Sequence, residues 1–276
     1  MKYLFACALL VASLSMRPAA AQTRRVVEDL QLWAELQAEL ALKNGDYLVL
    51  AAHGQNVPAY NGTSYADRVL GFDARGLALG YEHFWSDQWS GGATVQHASL
   101  SGFKYVAPEL LLRHRSPLGP LTFGQRLSAY RVVPVGNIDR TVAADGENYA
   151  SLRVDLEKLF PVGSGPLMLR PRLSYEAVVH MRFQKDDFDA DERTIQATRL
   201  RAEVGVRLND RFDFTPWAAY ATEYYFTVGQ YNPISGTPTA EAGRLNLATP
   251  VLGLDARFTL FQGKEAFERR QLPTEH

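Results

Sequence analysis

The stretch "LQLWAELQAELALKNGDY", residues 30 to 47, decides the fold. By composition it is a helix, because Leu, Ala, Glu and Gln are strong helix formers, and Gln31, Glu35, Glu39 and Lys43 fall four apart like a polar helical stripe. By order it is a strand. Leu30, Leu32, Ala34, Leu36, Ala38, Leu40 and Leu42 alternate with Gln31, Trp33, Glu35, Gln37, Glu39, Ala41 and Lys43, a two-residue period with one apolar and one polar face. Gln37 separates the two readings. At about 100° per residue it would stand roughly 200° from Glu35, in the middle of a helix's apolar face. Asn44-Gly45 then supplies the strongest short hairpin signal, so the stretch predicts a strand entering a tight turn.

The same period runs through the rest of the chain. Leu167 to Phe183 places Leu169, Leu173, Tyr175, Ala177, Val179 and Met181 on one face, with Arg170, Arg172, Ser174, Glu176, His180 and Arg182 on the other. Residues 194 to 208 and 148 to 160 repeat the pattern, and so do Phe212 to Phe226 and Arg244 to Phe261. Such runs exceed the five or six residues usual in soluble sheets. Short connections at Lys43–Asp46, Trp85–Gln88, Ser116–Pro120 and Asn209–Arg211 alternate with longer ones at Asn56–Ser64, Pro134–Glu147, Gln184–Arg193 and Thr227–Gly243. Aromatic residues such as Trp85, Trp89, Phe160, Phe212 and Phe258 sit near strand ends. Long alternating strands, turns of two lengths and terminal aromatics predict an all-β, transmembrane, antiparallel up-and-down β-barrel. A secreted soluble β-sandwich is the alternative, since it too has one apolar face per strand.

The opening "MKYLFACALLVASLSMRPAAAQ" has Lys2, a short apolar core and Ala19-x-Ala21 before Gln22, the pattern of a secretory signal over residues 1–21. Its removal takes away Lys2, Arg17 and Cys7, moving the formal net charge from −1 to −3. The expected mature chain then offers no thiolate or disulfide chemistry, and no electrostatic case for nucleic acid. The barrel is expected over 22–261, followed by a polar tail at 262–276, in the outer membrane of a diderm bacterium. Its expected partners are outer-membrane lipid and the barrel-assembly machinery.

A plain count of strands gives 11, whereas a barrel with both termini on the periplasmic side needs an even number. Leu70, Phe72 and Ala74 set one phase and Leu77, Leu79 and Tyr81 the other, so a turn at Arg75-Gly76 would give 12 strands, and a helical opening segment would leave 10. The expectation is about 12, within 10 to 12.

"DLQLWAELQAELALKNGDY", the hairpin "LALGYEHFWSDQWSGG" at 77–92, and "ATRLRAEVGVRLNDRFDFTPWAAY" at 197–220 resemble a Bacteroidota family of outer-membrane β-barrels of unknown function, DUF2490. The resemblance covers most of residues 28–261 and implies the barrel and its compartment; it implies no activity. "LDARFTLF", ending at Phe261, looks like the terminal aromatic signal read during barrel insertion, although Gln262 to His276 follow it.

Two sets of residues are candidates for function. Arg153, Arg170, Arg172, Glu176, Arg182, Arg199, Arg201, Glu203 and Arg207 share the polar face of neighbouring strands. They predict either an arginine-lined lumen that favours small anionic solutes or an ion-paired plug in a narrow barrel, and the plug is preferred. His97 and Ser99 share a strand face and Glu109 lies on the next strand, a catalytic arrangement in principle. Its spacing is similar to that of outer-membrane lipid A deacylases, although Leu100 stands where that family has Asn. No spacing suited to a metal site or a phosphate loop occurs, so neither metal nor cofactor is expected. The functional expectation is a passive pore or structural surface barrel, with an acyl hydrolase as the rival.

Overall fold

The structure, a computed structural model, describes residues 24–60, 71–100, 103–135, 146–181, 195–227, 230–231, 238–240 and 243–263. The expected signal, Arg182 and the tail beyond residue 263 lie outside the described residues. The first strands are β1 (Arg24–Val27), β2 (Gln31–Ala41), β3 (Tyr47–Asn56), β4 (Ala74–Phe84), β5 (Trp89–Leu100), β6 (Phe103–Leu118), β7 (Leu121–Pro134) and β8 (Glu147–Glu157). They are followed by β9 (Phe160–Pro161), β10 (Met168–His180), β11 (Ala197–Asn209), β12 (Phe212–Thr227), β13 (Gln230–Tyr231), β14 (Pro238–Ala240) and β15 (Gly243–Phe261).

The opening stretch is a strand. In β2, Leu36 is 53% exposed while Gln37 is 2% and Glu39 0% exposed, so the polar face is the buried one. The turn after it is fixed by Gly45 at φ 91°, a left-handed conformation that glycine adopts without steric cost. Asp46 locks that turn. It accepts from the Tyr81 hydroxyl at 2.5 Å and the Asn44 amide at 2.8 Å, and lies 2.8 Å from His83 Nδ1.

From β2 onward each long strand pairs antiparallel with the next, and β12 pairs with β15. The sheet then closes on itself through a parallel ladder between β15 and β2, from Val251–Gln31 to Phe261–Ala41. β1 extends this seam, from Arg24–Leu245 to Val27–Ala248. Between Val27 and Gln31 the segment joining β1 to β2 gains one residue on β15, which is a bulge.

Among the described residues, eleven strands therefore form the wall, inside the expected range. The expectation of an even number is corrected by the parallel seam: β2 and β15 run in the same direction, so the wall's first strand starts at the rim opposite to the one where the last strand ends. The turn expected at Arg75-Gly76 is also corrected. β4 is a single strand whose register with β3 is unbroken from Tyr47–Glu82 to Gln55–Ala74. The change of phase lies at the strand's entrance, where Phe72, ahead of β4, covers Gly54.

The two rims differ less strictly than the alternation of loops predicts. On the short-turn side, residues 158–167 fold β9 back onto β10. On the other side, β5 and β6 are joined between Leu100 and Phe103. An apolar cluster of Ala41, Tyr47, Val49 and Phe261, flanked by Phe84, lies near the short-turn rim. Phe261, read from sequence as a terminal aromatic signal, thus points inward, and Phe258 and Leu260 hold the outward positions at 46% and 58% exposure. The main sheet closes on itself, whereas the sandwich alternative requires two open sheets packed face to face; the other sheet among the described residues is the two-stranded β13–β14.

Candidate functional site in the barrel lumen

Alternation turns one residue in two toward the interior of the closed sheet. The inward positions of β8, β10 and β11 are Arg153, Arg170, Arg172, Glu176, Arg199, Arg201, Glu203 and Arg207, the residues that the sequence places on one polar face. The structure brings them together, and it supplies each layer with carboxylates from strands far away in the chain. Arg201 Nη2 donates to Asp255 Oδ2 at 2.6 Å, and Arg201 Nε lies 2.7 Å from Glu203 Oε2. Glu203 Oε1 lies 2.8 Å from Arg172 Nε. Arg257 Nε stands 3.3 Å from Glu39 Oε1, which also accepts from Gln37 at 2.8 Å. All of these residues are buried.

Trp217 anchors this layer. Its indole Nε1 donates to Asp255 Oδ1 at 2.7 Å, and the Arg201 guanidinium lies 4.1 Å above its ring. The ring rests against Gly253, its cross-strand partner, where any Cβ would overlap the indole. Trp33 meets the same indole edge-on at 5.9 Å. A buried charge costs several kcal/mol unless a partner offsets it, and here each guanidinium is matched by a carboxylate held through a second contact.

Other ion pairs of the lumen escape a reading of the sequence. Arg113 Nη1 donates to Glu82 Oε2 at 2.6 Å, and Glu82 also accepts from Ser90. Arg126 Nη2 donates to Glu109 at 2.7 Å. In "PELLLRHR" three consecutive leucines hide the two-residue period that would have placed Glu109, Arg113 and Arg115 on one face. Leu111 is apolar yet inward and buried.

Two cavities flank the ion-paired layer and share no lining residue. One, of about 420 Å³, lies at the short-turn rim and is lined by Glu82, Arg113, Arg115, Glu157 and Arg170 among others. Arg113 is paired there with Glu82 and Arg115 with Glu157, and Arg170 stands 4.0 Å from the same Glu157. The other, of about 310 Å³, lies toward the opposite rim and includes Trp33, His53, Gln96, Tyr105, Glu109 and Tyr130.

The three residues of the catalytic arrangement are not assembled. His97 is exposed on the outer face, Glu109 faces the lumen, and the register sets His97 opposite Val106, three residues from Glu109. Glu109 is engaged by Thr94 at 2.8 Å as well as by Arg126. Ser99 is buried, between Arg75 and Lys104 in the ladder. Among the described residues no cluster of His, Cys, Asp and Glu could hold a metal ion. No protein-family model matches the chain, and a search of curated proteins finds no match.

Proposed function

We propose that the chain is an integral outer-membrane β-barrel whose lumen is closed at mid-height by paired charges, serving as a structural surface barrel rather than an open pore. The observation that carries this reading is the inversion of the fold. Leu36, Leu50, Leu79, Leu110, Leu127, Leu173, Leu200 and Leu254, one from each of eight wall strands, are between 48% and 68% exposed. Arg153, Arg172, Arg201 and Glu203 are at most 4% exposed. Water would impose the opposite arrangement. An apolar belt around a closed sheet suits lipid, where closure leaves no unpaired strand edge. Strands of 10 to 19 residues are long enough to cross the hydrocarbon at a tilt.

The charge balance inside supports the plug. A selective anion pore requires guanidiniums that remain available to the solute. Here Arg201, Arg172, Arg113 and Arg126 each contact a carboxylate within 2.8 Å. Purified protein folded in detergent should migrate faster on gels before heating than after, as a closed barrel does. Reconstituted in planar bilayers it should give no steady conductance; a stable conductance favouring anions would overturn the closed reading in favour of a pore.

A further inference from the structure

The cavity on the long-loop side has the make-up of a ligand site, and we propose that it binds a neutral polyhydroxylated solute, of the size of a mono- or disaccharide. At about 310 Å³ it is at the lower end of small-molecule sites. The volume is made by three alanines, Ala51, Ala78 and Ala107, set level with Gln96 across four adjacent strands. Ala51 faces Ala78, Ala78 faces Gln96, and Gln96 faces Ala107 in successive registers.

Two of the three carboxylates in the wall, Glu109 and Glu176, stand beside guanidiniums. Glu109 accepts from Arg126 and Thr94. Glu176 lies between Arg153 and Arg199 in the two ladders of β10, and the Arg199 guanidinium lies 5.2 Å from the Trp33 ring. Three carboxylates, two guanidiniums and one imidazole line the space, so neither sign is in large excess and a free ion gains little by entering. An apolar solute would strip water from these same groups without replacing their hydrogen bonds, at a cost of kcal/mol for each.

The uncharged part of the wall suits hydroxyl groups, which donate and accept at once. Gln55, Gln96 and His53 offer amide and imidazole atoms, with His53 Nε2 lying 3.2 Å from Gln96 Nε2, and the Tyr105 and Tyr130 side chains line the same space. Tyr130 also begins an aromatic stack. Its ring lies 5.3 Å from Tyr149, which lies 4.9 Å from His180, all near parallel, across β7, β8 and β10. Rings beside fixed donors and acceptors accommodate the C–H face and the hydroxyl edge of a sugar together. This inference needs the barrel but not conduction, and it holds whether or not the lumen passes ions.

The test is a titration of detergent-folded protein, verified by its heat-dependent migration, with glucose, maltose and, as charged control, glucose 6-phosphate. Calorimetry and the combined emission of Trp33 and its neighbour Trp217 in a Trp85→Phe/Trp89→Phe background are the readouts. Saturable binding of glucose or maltose is expected, with glucose 6-phosphate weaker. Tyr130→Phe, which keeps the stack and removes one hydroxyl, should weaken it roughly five- to tenfold. Ala107→Trp, which fills the hollow, should abolish it. The proposal is overturned if native protein shows no saturable response to either sugar, or if the phosphate binds as tightly as glucose. Undiminished binding by Ala107→Trp protein that still migrates as a folded barrel would overturn it equally, because the ligand would then sit elsewhere.

Discussion

Arg201 shows what a single residue carries in an interior of this kind. Its guanidinium holds Glu203 and Asp255 and covers the Trp217 ring. Arg201→Met would leave two buried carboxylates without their shared cation, and removing one partner from a buried ion pair costs about 3–5 kcal/mol. Urea unfolding of the refolded variant in micelles should show that loss, and a change below ~1 kcal/mol would mean that water already screens the layer. Gly253→Val acts on the same layer from the opposite side, by driving the Trp217 ring off its seat and away from Asp255. Overpacking of this type costs about 1–3 kcal/mol. Asp46 adds a dependence on pH. Burial raises its pKa, but hydrogen bonds from Tyr81, His83 and the Phe84 amide outweigh burial and hold the carboxyl below its ordinary 3.8. A depressed folded value means that the turn's contribution is complete above the ordinary value and vanishes as pH falls through the lower folded one. The stability gap between native protein and Asp46→Asn should therefore be constant near neutrality and close below pH ~3.8.

At the scale of elements, the strands and their pairing with the next in sequence were legible, and the closure was not. Alternation along residues 30–42 and 167–183 gives strand and face because a sheet exposes every second side chain to the same environment, whatever that environment is. Gln37 marks the strand because lumen and lipid allow no mixed face. The count of wall strands was less accessible, since an even number follows only if the ends lie at one rim, and nothing local in Gln31–Ala41 records whether its free edge meets an antiparallel or a parallel neighbour. Gly76 shows the same limit: a phase change along the chain fits a turn as well as an entrance, and only the β3–β4 register separates them. The site follows this division. The arginines of β8, β10 and β11 were visible because they are local, whereas Asp255 reaches Arg201 from more than fifty residues away and Glu39 meets Arg257 of β15 across the seam. The seam can be tested directly. Leu40→Cys with Leu260→Cys, which are paired in the parallel register, should form a disulfide in folded protein. A Leu40→Cys/Phe261→Cys pair should not, because Phe261 points inward and Leu40 outward.

At the scale of the whole molecule, the parallel seam limits how the chain can be rearranged. When two termini lie side by side, a short peptide joins them and new ends can be cut elsewhere. Here the junction would have to travel the full height of the wall, from Phe261 back to Arg24. A short linker should abolish refolding of a permuted chain opened at Gly119, as judged by loss of heat-dependent migration. An alternating segment of about ten residues, flanked by turns, should restore it. Such a segment would lie between β15 and β2, antiparallel to both, and the circle of strands would become even. The present wall is in this sense a twelve-stave vessel built with one stave left out, its two exposed flanks drawn together, and the seam marks where a further strand could be grafted without disturbing the other ten joints.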